Sequence, residues 1–75
     1  MKERLLETFK DTFPDAEFDQ NEFINLKLNS IPQWDSMGNL NLLMNIESNF
    51  GIRFSSDELS ETKSIKEILK ILNKL

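Results

Sequence analysis

Apolar positions recur at helical spacing along three stretches of the 75-residue chain. In the first, Leu5, Leu6, Phe9 and Phe13 share one side, charged residues fill the intervals, and Pro14 follows. Proline has no N–H to donate and its ring crowds the preceding turn, so the pattern predicts an amphipathic helix over residues 2–13. In the second stretch, Met37, Leu40, Leu43, Met44, Ile46 and Phe50 fall on one broad side at about 100° per residue. Leu42 lies off the centre of that stripe, with Asn39, Asn41, Asn45, Ser48 and Asn49 mostly opposite. This helix is expected to begin at Asp35 or Ser36 and to run to Phe50, closed by Gly51 in a left-handed cap. Glu47 falls inside the apolar stripe, so its carboxylate needs a backbone N–H or a cation such as Arg53. In the third, Ile65, Ile68, Leu69 and Leu72 form the buried stripe, while Lys66, Lys70 and Lys74 point outward.

Helix starts are marked by a Ser or Asp followed three residues later by Glu, a spacing that satisfies two free backbone donors reciprocally. "SSDE" (Ser55 to Glu58) opens a short helix that ends by about Glu61, and "SIKE" (Ser64 to Glu67) opens the last one. "DQNE" (Asp19 to Glu22) predicts a single helical turn near residues 20–24, inside the long aperiodic stretch from Pro14 to Trp34. Phe18, Phe23, Ile24, Leu26, Leu28 and Ile31 give that stretch apolar anchors. No strand alternation is present. The chain reads as all-α and a single domain over residues 1–75, a small four-helix bundle of three longer helices, one short helix and a long first loop. The expected core contains Phe9, Phe13, Leu28, Leu40, Met44, Phe54, Ile65 and Leu69.

Composition narrows the chemistry. A domain of this size buries only about 60–65% of its unfolded surface, which leaves little room for a deep pocket. The chain has no cysteine and no histidine, so it lacks a thiolate, the usual general base near neutral pH and the commonest metal ligands. It is not expected to be an enzyme or to hold a metal. The net charge of −4 argues against nucleic acid, whose phosphates require a basic face. Residues 35–61 carry one basic and five acidic side chains, whereas residues 62–75 carry four basic and one acidic. An acidic middle of this kind attracts cationic partners. The start, "MKERLLETFKDTF", has charges throughout, and no run reaches the roughly 20 apolar residues of a membrane span. A cytoplasmic monomer is expected.

The informative stretch is "IPQWDSMGNLNLLMNIESNFGI", Ile31 to Ile52. One reading of "WDSM" is structural: Asp35 or Ser36 caps the helix, and Trp34 packs as the apolar residue before the cap. The other is that one residue caps and the other displays its side chain. Two cap candidates stand side by side, and Gly38 occupies the first turn at a cost of about 1 kcal/mol relative to alanine. Placed on the outer side near Ser36, Gly38 would leave the hydroxyl open to another enzyme.

From Trp34 to Leu72 the chain resembles the acyl carrier proteins, and it does so weakly before Pro32. The resemblance is carried by "DSM" opening a helix, "LNLLMNIESNFGIRF" running through it, "SSDEL" in the short helix and "TKSIKEILKIL" in the last. The tripeptide alone is a weak signal; the spacing of all four segments in a chain of this length gives it weight. The resemblance implies that Ser36 carries a phosphopantetheine group through a phosphodiester, installed from coenzyme A and magnesium by a phosphopantetheinyl transferase. Asp35 would help to position that magnesium and the transferase. A loading ligase would attach an acyl or aminoacyl group to the terminal thiol as a thioester for downstream synthase enzymes. Fatty-acid, polyketide, D-alanylation and nonribosomal peptide routes all use such a carrier.

The second helix is the family's docking face and is normally acidic. Here Glu47 is the only acidic residue between Ser36 and Phe50, and methionine replaces the family's leucine after the serine. Recognition is therefore expected to rest on Met37, Gly38, Asn41 and Glu47, with acidic charge moved to Asp57 and Glu58 in the short helix. That departure points to a dedicated pathway rather than housekeeping fatty-acid synthesis. The alternative from another class is a small helical protein-interaction adaptor without a prosthetic group, favoured by the asparagine-rich second helix.

Overall fold

The computed structural model describes residues 2–73. Helix α1 spans Lys2–Thr12, a 3₁₀ helix follows at Gln20–Asn25, and α2 (Ser36–Phe50), α3 (Ser56–Glu61) and α4 (Ile65–Leu72) complete the order. Among the described residues there is no strand, only an isolated antiparallel bridge between Lys27 and Ser64. The fold is all-α. The outward position expected for Lys74 lies outside the described residues.

The termini of the helices follow local chemistry. The peptide after α1 still bonds helically, Phe13 N–H to the Phe9 carbonyl at 2.9 Å, before Pro14 ends the run. Ser55 and Glu58 form a complete capping box on α3. At α4 the reciprocity is shifted: the Ser64 hydroxyl oxygen accepts from Glu67 N–H, but the Glu67 carboxylate takes the N–H of Lys63 at 3.2 Å. "DQNE" makes no box. Asp19 accepts from Asn21 N–H at 2.9 Å and Glu22 accepts from the Asn25 side chain, which yields the tighter 3₁₀ geometry.

α1 lies antiparallel on α2, as the contacts pair early α1 residues with late α2 residues. The Arg4 guanidinium donates to the Asn49 carbonyl at 2.8 Å and sits 4.5 Å over the Phe50 ring. Asn49 donates to the Thr8 hydroxyl and Asn45 to the Thr12 hydroxyl, at 3.1 and 2.9 Å. Two of the α2 asparagines expected to face outward thus edge the α1 interface.

The core centres on Phe9, whose ring meets Phe13, Phe18, Phe23 and Trp34 edge-on at centroid distances of 5.0–5.4 Å. Such edge-to-face pairs add about 0.5–1.5 kcal/mol each beyond burial. Leu5, Ile31, Leu42, Leu43, Ile46, Phe54, Ile65, Ile68 and Leu72 fill the remainder. Of the core expected from the sequence, Phe9, Phe13, Phe54 and Ile65 are buried, and Leu28 and Leu69 are partly so. Leu40 and Met44 are a correction: they are 49% and 55% exposed, and Met37 is 77% exposed.

The face that α2 buries is Gly38, Asn39, Leu42, Leu43 and Ile46, rotated by roughly a quarter turn from the expected stripe. The physical reason is that two non-apolar positions are drawn inward. Asn39 has buried hydrogen-bond partners, and Gly38 has a backbone segment pressed against it. Once those two positions face in, Leu42 becomes central and Met37, Leu40 and Met44 must face water.

Candidate functional site

The site is the start of α2. Asp35 is the N-cap: its backbone is extended and its Oδ1 accepts from Gly38 N–H at 2.8 Å. Ser36 is therefore the first helical residue, and the cap does not use its hydroxyl. Both side chains are exposed. The pair of candidate caps resolves into one cap and one displayed alcohol.

A rigid base lies beneath. Trp34 is fully buried, and its indole N–H donates to Asn39 Oδ1 at 2.9 Å. Asn39 Nδ2 donates in turn to the Thr62 carbonyl at 3.0 Å, which ties the first turn of α2 to the α3–α4 connection. The segment before Trp34 is pinned as well. Leu28 N–H bonds the Lys63 carbonyl at 2.7 Å, Ile65 N–H bonds the Leu26 carbonyl at 3.0 Å, and Asn29 N–H bonds the Trp34 carbonyl at 2.8 Å. Asn29 takes a left-handed backbone (φ 71°), which asparagine tolerates better than other residues with a side chain.

Gly38 occupies a different place from the one expected. It is buried, and a Cβ there would stand 2.2 Å from the Gln33 carbonyl oxygen and 3.1 Å from the Phe13 ring. The glycine lets the Gln33–Trp34 backbone press against the helix; it does not open a path to Ser36.

The remaining sequence candidates divide into exposed and engaged side chains. Met37, Asn41 and Asp57 are exposed. Glu47 is half-buried, and its Oε2 accepts from Phe54 N–H at 2.7 Å, the backbone partner its position required. Glu58 serves the cap of α3 through Ser55 N–H at 2.8 Å. Gly38, Glu47 and Glu58 are thus bound up in the fold, whereas Ser36, Met37 and Asn41 are exposed.

Three residues beside Ser36 escaped the sequence reading. An open groove of about 320 Å³ is lined by Leu28, Ser36, Asn39, Leu59, Ser60 and Lys63. Asn39 could have been placed there, because positions three apart on a helix share a face. Ser60 and Lys63 carry no such signal, since only tertiary packing brings the end of α3 and the α3–α4 connection against α2. A second groove of about 250 Å³, with Glu58, Glu61, Glu67 and Lys70 among its walls, excludes Ser36, and Glu58 and Glu67 there serve helix starts.

Comparison of the chain with protein-family models, curated proteins and solved structures finds no significant match. Among the described residues, no helix is long and apolar enough to cross a membrane.

Proposed function

We propose that the chain is a carrier protein that takes a phosphopantetheine group on Ser36 and delivers acyl or aminoacyl intermediates to the enzymes of a dedicated biosynthetic pathway. One observation carries the reading: an exposed serine at the first position of a long helix, relieved of capping by its neighbour Asp35. The succession of a long α2, a short α3 and a capped α4 supports a carrier-type four-helix bundle.

The residues suit such a group. Ser36 lines a groove whose wall, among the described residues, holds the cation Lys63 and no carboxylate. In the loading step, catalysed by a phosphopantetheinyl transferase, Ser36 Oγ bonds to the phosphorus of coenzyme A that bears the pantetheine. The phosphoanhydride bond breaks, the nucleotide bisphosphate leaves, and the hydroxyl proton passes to a base of the transferase. Asp35 spends Oδ1 on the Gly38 N–H, which leaves Oδ2 to position the transferase's magnesium. When bound, the prosthetic group supplies a thiol for thioester linkage, which a chain without cysteine otherwise lacks. Met37 and Asn41 present the docking surface beside Ser36, with Asp57 adding negative charge from α3. The carrier works as a cytoplasmic monomer.

The test is intact mass after incubation with coenzyme A, magnesium and a promiscuous transferase. A single phosphopantetheine-sized gain in the wild type and none in Ser36→Ala is expected. Folded wild-type protein that gains nothing from several transferases ends the carrier reading. The adaptor without a prosthetic group would then take its place, and the exposed row Met37, Leu40 and Met44 is the observation in its favour.

A further inference from the structure

We infer that Lys63 is the counter-ion of the phosphodiester on Ser36, holding the root of the prosthetic group against the α2–α3 side of the molecule. The inference rests on the carrier reading and assigns a role to Lys63, to which the sequence analysis gave none.

Ser36 and Asn39 stand one turn apart on the same face of α2. Asn39 is bonded to the carbonyl of Thr62, so the next residue, Lys63, is brought alongside the first turn. Its backbone is held on both sides: the carbonyl accepts from Leu28 N–H at 2.7 Å and the N–H donates to Glu67 at 3.2 Å. The exposed residue therefore starts from a fixed base, and it lines the same groove as Ser36. Among the described residues, no other charged residue lines that groove. A phosphodiester on Ser36 places a full negative charge at its mouth, and a lysine on a flexible four-carbon stem adjusts to it as a point charge. Asp35, the nearest carboxylate in sequence, is turned to the Gly38 N–H. Leu28 and Leu59 give the groove apolar walls for the part of the group beyond the phosphate.

The experiment compares thermal midpoints of unloaded and loaded protein for the wild type, Lys63→Gln and Lys63→Arg, each at low salt and at about 1 M salt, where charges are screened within about 3 Å. An exposed ion pair predicts that loading raises the wild-type midpoint by about 1–6 °C more than that of Lys63→Gln. Lys63→Arg keeps the increment, and high salt removes it. In parallel, the NMR resonances at the end of the wild-type Lys63 side chain shift on loading at low salt and not at high salt, a readout that requires no variant. Equal increments in wild type and Lys63→Gln, or Lys63 side-chain resonances unmoved by loading, overturn the counter-ion while leaving the carrier intact. Absence of any mass gain on wild-type Ser36 overturns both.

Discussion

Gly38→Ala separates the two placements of the first turn of α2, because they give effects of opposite sign. On an open helix surface, replacing glycine with alanine stabilises by about 1 kcal/mol. In this fold the new methyl carbon would stand 2.2 Å from the Gln33 carbonyl oxygen, whereas real contacts of this kind stay beyond 3.0 Å. The backbone at Gln33 must therefore retreat by at least about 0.8 Å, the difference of those two distances. Overpacking of that kind costs about 1–3 kcal/mol. The retreat also pulls on Asp35, whose cap is worth about 1 kcal/mol and whose Oδ1 lies 3.3 Å from the same methyl. Set against the gain in helix propensity, the net loss is about 1–3 kcal/mol, or a midpoint lower by roughly 5–20 °C. Trp34 is the single tryptophan and its backbone adjoins Gln33, so its fluorescence during urea or thermal unfolding reports both the loss and the local rearrangement. A Gly38→Ala protein as stable as the wild type, or more so, would refute the close approach and return this glycine to the surface.

Other perturbations probe the rotated face and the polar bridge. Leu42→Ala removes a fully buried side chain and should cost about 2–5 kcal/mol in urea unfolding, while Leu40→Ala, half exposed, should cost under about 1 kcal/mol. The reverse order would restore the stripe expected from the sequence. Asn39→Ala strands the Trp34 N–H and the Thr62 carbonyl without partners and should cost about 2–4 kcal/mol, with faster hydrogen exchange at the indole. An unchanged indole exchange rate would show that the bridge contributes nothing.

Most of the helical architecture was legible because its signals are local. Pro14 ends α1, Gly51 closes α2 with a φ of 65°, and Ser55 and Ser64 open α3 and α4 at the expected positions. Each depends on hydrogen bonds or backbone angles within about four residues. The need of Glu47 for a partner was legible, since a carboxylate inside an apolar stripe must find a backbone N–H or a cation such as Arg53; the Phe54 N–H is the partner it takes. The face of α2 was misread because counting apolar residues treats every polar side chain as outward. Asn39 is polar and buried, and Gly38 has no side chain to count, yet these two set the rotation.

The sequence by itself determined where the helices begin and end, that cysteine and histidine chemistry is absent, and that an Asp-Ser pair stands at the head of the longest helix. These are properties of composition and of bonds between near neighbours. Only the tertiary structure decided that Asp35 rather than Ser36 takes the cap, that Gly38 receives the Gln33 carbonyl, and that Lys63 shares a groove with Ser36. Those outcomes are fixed where Trp34 and Asn39, five residues apart, meet Thr62, 23 residues further along the chain from Asn39. Burial and donor–acceptor matching choose such meetings among many local possibilities, and no pattern read along the chain encodes that choice.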